Sequence, residues 1–437
     1  MFKTLRDAFK VKEIRMGLLF TFFVLIVIRF GSLIPVPGLN TVAIKEYLES
    51  ALGDANSFLS SFTGGSFTQM SIFALNVTPY ITSSIIIQLL TIAIPALEEM
   101  QKDGEDGRNK ITAITRYVTI FLAVIESLGL VIGFDRGHYM TVTGPLGYLL
   151  VIITLTTGSA FVMWLGERVT EKGVGNGISI ILLINIVSRM PSDFSDLYTK
   201  FMKGQDIVDQ VIAGAIILAV ILVTTILVVL LQGGVRKIPV QHAQKVQGRR
   251  MMGGQQSHIP LKVNTSSVIP VIFASSILSV PMVVVNLFNI NTSGVWAKIL
   301  RGMNSNYWFN PAYPWASVGL IIYILLVVFF AYFYTSVTFN PMEVANNLKK
   351  SGGFIPGIRP GKPTQDYLNK ILNYIVFIGA IGLTIVCVIP FIFNGVFGAQ
   401  VSFGGTSLII IVSVILETMK QVESQMLVRN YKGFLND

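Results

Sequence analysis

Stretches of roughly 20 mostly apolar residues, long enough to cross a hydrocarbon core, recur ten times along this chain. They fall at about 16–36, 72–97, 117–134, 146–166, 174–190, 211–231, 268–290, 316–339, 371–393 and 405–424. The bilayer core holds no water to satisfy backbone polar groups, so such a chain must satisfy them inside helices. Composition agrees: 52% of the residues are hydrophobic and 13% charged, where a soluble domain carries about 25% charged. An all-α polytopic membrane protein follows. The tenth span is the weakest, because SLIIIVSVIL is short and Glu417, Lys420 and Glu423 follow it.

Positive charge sets the orientation. The N-terminus, 98–116, 167–173, 232–263, 340–370 and the C-terminal end hold 25 of the 33 Lys and Arg. These segments, and with them both termini, are expected in the cytoplasm. The first sixteen residues are basic and amphipathic and lead into the first span without a small-residue cleavage site, so no removable signal peptide is expected. The net charge of +10 reads as topology plus acidic partners rather than nucleic acid as substrate.

Chemistry is sparse. Cys387 is the single cysteine, which excludes a disulfide framework. His138, His242 and His258 have no partners at metal-ligand spacing, and no histidine lies within a span to activate a Ser or Thr. No enzyme activity, metal or cofactor is expected. The sequons at Asn76, Asn264 and Asn291 are too short a pattern to carry weight. GVGNGISII (173–181) invites a phosphate-loop reading, but no strand precedes it and no Lys-Ser/Thr follows. It reads as a flexible cytosolic turn into the fifth span. GIRPGKPT likewise lacks the Walker spacing, with Pro356 where a Gly is needed. Ionisable groups inside spans mark ion or proton paths, and only Arg29 and Glu126 stand out.

Two cytosolic loops are longer and more basic than orientation requires, which suggests a docking surface. Residues 232–263 contain six Lys or Arg and no acid, and KKSGGFIPGIRPGKPT (349–364) is too rich in Gly and Pro for a regular helix.

Ten spans divide into five and five, so the second half must be inverted relative to the first. Gly- or Pro-interrupted segments at matching positions of two inverted halves point to a central site. Span two carries Gly64, Gly65 and Pro79 with Thr82, Ser83, Ser84 and Gln88; span seven carries Pro270 and Pro281 with Ser275, Ser276 and Ser279. Val77 and Ile81, and likewise Ile178 and Leu182, are four apart and share a helix face.

GGSFTQMSIFALNVTPYITSSIIIQLL, MWLGERVTEKGVGNGISII, QGRR, PLKVN, VIPVIFASSI, FNPMEVANNLKKSGGFIPGIRPG and FGGTSLIIIVSVI closely resemble the bacterial SecY family of protein-translocating channels, in order and over essentially the whole chain. The resemblance implies a clam-shell of two inverted five-helix halves, 1–190 and 191–437, around an hourglass pore. It implies a plug half-helix at about 64–75 on the outer side, with Gly64, Gly65, Ser66, Phe67, Ser71, Ile72 and Phe73 among its residues. It implies a pore ring of Val77, Ile81, Ile178, Leu182, Ile272 and Ile410, with valine at 77 and leucine at 182 replacing the commoner isoleucine. An apolar ring blocks ions by dewetting.

The same resemblance implies a lateral gate at spans two and three against seven and eight, with Thr82, Ser83, Gln88, Ser275, Ser276 and Ser279 making a moderately sticky seam. It implies docking of the SecA motor and the ribosome at Arg249, Arg250 and Arg359. Further expected partners are SecE-like and SecG-like small membrane subunits, signal-bearing preproteins and the lipid of the cytoplasmic membrane. The rival reading is a secondary transporter with inverted repeats, which would need midplane acids that this sequence lacks.

Overall fold

A computed structural model describes residues 6, 9–51, 63–203, 206–242, 246–247, 250–251, 256–287, 294–304, 307–309, 313–397 and 405–433. In chain order the elements are α1 (Lys12–Gly31), α2 (Thr41–Ala51), α3 (Thr78–Ala93), α4 (Pro95–Lys102), α5 (Glu105–Arg136), α6 (Pro145–Lys172), α7 (Gly177–Phe201) and α8 (Ile207–Gly233). A segment of strands follows, with β1 (Val235–His242), β2 (Val246–Gln247), β3 (Arg250–Met251) and β4 (Gln256–Lys262). Then come α9 (Ile269–Leu287), α10 (Val295–Met303), a 3-10 turn (Pro314–Ser317), α11 (Val318–Thr338), α12 (Pro341–Lys350), β5 (Gly353–Phe354), α13 (Lys362–Phe397) and α14 (Gly405–Gly433).

Among the described residues seven helices are long and apolar enough to cross a membrane, and the bent pair α3–α4 makes an eighth. The remaining two expected spans are α9 and α14, the latter diluted by its charged second half. The chain is a multi-pass membrane protein. Its second span is shorter than the apolar run. It starts only at Thr78, with Pro79 in the first turn, where a missing N–H costs nothing. It stops at Ile94, extended at φ −111° and ψ 109° because Pro95 follows, and the chain then turns by 107°.

The first five spanning segments pack as a group, α3 on α5, α5 on α6, and α6 on both α1 and α7. In the second group α9 meets α11, α11 meets α13, and α8 meets α13 and α14. Two seams join the groups, α7 against α14 and α5 against α9. The fifth span runs past residue 190 to Phe201.

The long basic loop at 232–263 is an antiparallel hairpin rather than a loose connector. β1 pairs with β4 from Val235↔Lys262 to Gln241↔Gln256, and its far end pairs with β5 at Gln241↔Phe354. The two basic loops therefore share one sheet, ordered β4-β1-β5. Its apolar face, Ile238, Val240 and Leu261, is buried against Leu368, Ile371, Leu372 and Ile375 of α13. Burying each such side chain is worth about 1.5–3 kcal/mol, which makes the sheet a platform fixed to the second group. Of the stretch 349–364, expected to hold no regular helix, 351–361 is non-helical, but Lys349 and Lys350 end α12 and 362–364 begin α13. Asn340 accepts hydrogen bonds from the amides of Met342 and Glu343 and caps α12.

Candidate functional site

Val77 lies immediately before α3 and Ile81 one turn into it; Ile178 and Leu182 lie in the first two turns of α7, Ile272 in the first turn of α9, and Ile410 in the second turn of α14. These six aliphatic residues come from four helices and meet in one apolar cluster. Val77, Leu182 and Ile410 are 1%, 8% and 3% exposed within the cluster, and the other three pack against that cluster, partly buried. Glycines let α6 and α7 approach closely. A Cβ on Gly166 would stand 2.4 Å from Ile178 Cδ1, and one on Gly177 would stand 1.9 Å from the Gly166 carbonyl oxygen. The turn into α7 is pinned rather than flexible. The Gly177 amide donates to Thr170 Oγ1 at 2.9 Å, the Val174 amide donates to Thr21 Oγ1 at 3.3 Å, and Asn176 caps the helix.

Residues 64–77 form successive turns, not the half-helix expected. The physical reason lies in the backbone: Gly64, Gly65, Met70 and Asn76 all adopt left-handed φ angles, of 65°, 84°, 44° and 49°, which interrupt a right-handed helix. Ser66, Phe67, Ser71 and Phe73 are buried and Ile72 partly so. Ile72 and Phe73 pack into that same cluster; Phe67, Met70, Ala74 and Leu75 fill a second cluster with α2 and with residues of α5 and α6. The segment bridges the strand-like stretch after α1, pairing Pro35 with Ser71 through Ile72 N→Ile34 O (2.9 Å) and Val36 N→Met70 O (2.9 Å). Two side chains reach it from neighbouring helices. Arg29 Nη1 donates to the Gly64 carbonyl at 3.2 Å, and Ser159 Oγ donates to the Asn76 carbonyl at 2.9 Å. The sequence reading noticed Arg29 as a cation within a span; nothing distinguished Ser159 among many serines.

At the seam the expected hydroxyls turn inward. Thr82 Oγ1 donates to Thr78 O, Ser83 Oγ to Pro79 O and Ser275 Oγ to Val271 O, each within its own helix. Of the expected gate residues, Gln88 is joined across the seam, accepting from Tyr334 Oη of α11 at 3.4 Å. Tyr334 was not anticipated. Ser276 is partly buried on α9, and Ser279 lies on the same helix with its side chain outside the described residues. Of the docking candidates, Arg359 is exposed beside the platform, where its carbonyl accepts from Thr364 Oγ1 at 2.8 Å. Arg250 belongs to β3, its side chain undescribed, and Arg249 lies outside the described residues.

The family model SecY matches residues 71–419. The chain belongs to the SecY family. Among its relatives is the protein translocase subunit SecY of Bacillus subtilis, 42% identical over 100% of both chains. The subunit of the same name from Streptomyces lividans is also 42% identical over 100% of both. The fold is shared with a solved protein-conducting channel at TM-score 0.62, 18% identity, 94% of this chain and 93% of that one. Canine Sec61 in a ribosome–channel complex matches at TM-score 0.61, 18% identity and the same coverages. A SecY structure in which the plug domain stabilises the closed state matches at TM-score 0.62, 19% identity, 94% of this chain and 92% of that one. The architecture of this SecY-family chain is thus the two inverted five-helix halves of that fold.

Proposed function

We propose that this chain forms the pore of a protein translocase, conducting unfolded secretory proteins across the cytoplasmic membrane and releasing apolar segments sideways into the lipid. The observation that carries the reading is the apolar cluster: six aliphatic residues at the ends of four helices belong to it, and Ile72 and Phe73 of a run of turns pack into it. An apolar constriction grips an extended chain without binding it, and it excludes ions while dry. The turns at 64–77 act as the plug. Val77, Ile81, Ile178, Leu182, Ile272 and Ile410 act as the ring, and the seam of α3 and α5 against α9 and α11 as the lateral gate. The halves part after the fifth span and open about that link, with both termini in the cytoplasm. The sheet platform and Arg359 receive the SecA motor or the ribosome, and SecE-like and SecG-like subunits complete the complex. The test is import by the purified complex in proteoliposomes. Preprotein protected from external protease, dependent on this chain and on the motor, is the expected result. Uptake of a small solute with no preprotein protection would support a transporter instead.

A further inference from the structure

Arg29 is a partly buried cation in a spanning helix, a costly arrangement, and the ring gives it nothing to do. Its guanidinium is spent on the first carbonyl of the plug. Gly64 at φ 65° and Gly65 at φ 84° aim that carbonyl at α1; a Cβ on Gly64 would lie 2.9 Å from Arg29 Nη1 and 3.0 Å from Asn185 Cα. At the other end Asn76, at φ 49°, offers its carbonyl to Ser159. Beside that contact a Cβ on Gly158 would stand 1.9 Å from the Ile72 carbonyl oxygen, so only glycine lets the plug lie against α6. Between the ends, Ser66 Oγ and Asn76 Nδ2 are buried without a hydrogen-bond partner in the chain. Unmade buried bonds weaken a packed state, so the two end contacts add to what the bridge to 34–36 and the apolar packing supply between them.

We propose that Arg29 and Ser159 are a two-point latch on the plug and thereby set how apolar a signal segment must be to open the channel. The inference rests on the channel reading above. Both residues belong to helices of the first half, whereas the seam between α5 and α9 joins the halves. A signal that spreads the seam leaves the latch closed. Opening therefore needs differential binding enough to offset two separate contributions. Arg29 makes the stronger one, because a hydrogen bond from an ionised donor is about twice as strong as a neutral one.

The test uses the complete translocase, with resting ion conductance in planar bilayers and export of a preprotein whose signal segment has been made less apolar. Arg29→Met should raise resting conductance on the order of tenfold, and Ser159→Ala by about fivefold. Both should export the weakened signal. Arg29→Lys, which keeps the charge but loses the planar fork, should fall between wild type and Arg29→Met. Pro35→Cys with Ser71→Cys separates latch loss from misfolding. These positions face each other in an antiparallel bridge, where a Cα spacing of about 4.5–5.5 Å suits a disulfide. In the Arg29→Met background, oxidation should restore tightness and stringency, and reduction should remove both. Failure of oxidation to restore them would overturn the latch. So would Arg29→Met as tight and stringent as wild type while deletion of 66–74 leaks; the channel reading would then stand. If the deletion itself stays tight, the channel reading falls and takes the latch with it.

Discussion

Two short stretches start helices at the waist with nearly the same device, one in each inverted half. Asn76–Ile81 reads NVTPYI and Ser267–Ile272 reads SVIPVI. Each has a left-handed residue three before its proline, Asn76 at φ 49° and Ser267 at φ 54°. Each places the proline second in the helix. In each the amide two residues after the proline closes the first turn, Ile81 N→Val77 O at 3.0 Å and Ile272 N→Val268 O at 3.2 Å. What precedes them differs. The first follows a chain of turns held by Ser159 from another helix; the second follows the β4 strand and is held locally, Asn264 Nδ2 donating to Ser267 O at 3.0 Å. The same local code starts a helix of the apolar cluster twice. The chain before it differs: under the proposed function the first helix carries a removable stopper, and the second stands on the sheet platform.

Breaking the platform's outer contact should have the largest effect. Arg359→Glu should cost about 2–5 kcal/mol of docking where that contact is desolvated. Motor-driven import should collapse while the resting channel stays tight and the chain inserts normally. Equal import by wild type and mutant in proteoliposomes would remove Arg359 from the docking surface. Next come two glycines in matching roles. A Cβ on Gly158 would meet the Ile72 carbonyl at 1.9 Å, and one on Gly379 would meet the Val263 carbonyl at 2.4 Å. Alanine at either should cost about 1–3 kcal/mol by overpacking. Gly158→Ala should displace the plug and leak, and Gly379→Ala should tilt the platform and slow import without a leak. A leak from both would erase the contrast.

Smaller changes sharpen it. Asn264→Ala removes a neutral local bond and should lower thermal stability by about 1 kcal/mol with resting conductance unchanged, which paired thermal melts and bilayer recordings would check. Tyr334→Phe deletes the bond to Gln88 across the seam. Polar bonds between membrane helices average about 0.6 kcal/mol, so a less apolar signal should be exported about threefold better, read as processed preprotein over time.

The sequence made the helices legible, because span length is a one-dimensional signal; the i,i+4 pairs at Val77/Ile81 and Ile178/Leu182 share a helix face, but a ring of six was implied only by the resemblance to the family. It also marked Pro79 and Pro270 as breaks, although both turn out to begin helices. The platform's strand pairing went unread. Ile238, Val240, Ile259 and Leu261 alternate as a strand pair should, but the basic residues around them pointed to a docking surface without fixing its backbone. The plug's turns depend on left-handed Met70 and Asn76, which neither residue type announces by itself. The gate hydroxyls were expected to cross the seam; in an apolar helix the nearest acceptor is the carbonyl one turn back, and they take it. Ser159 and Tyr334 matter only through partners 83 and 246 residues away, a pairing no local pattern encodes.

The central claim is that a dry aliphatic waist with a plug packed against it closes this chain at rest. Its most direct test is resting ion conductance in planar bilayers, comparing wild type with two variants. One carries Ile81→Ser, Ile178→Ser and Ile272→Ser together; the other lacks residues 66–74. The triple substitution removes the apolar surface that disfavours water at the constriction, and the deletion removes the stopper. Both should conduct at rest where wild type does not, and the deletion should still import preprotein. If both remain as tight as wild type, something other than the ring and the plug closes this chain.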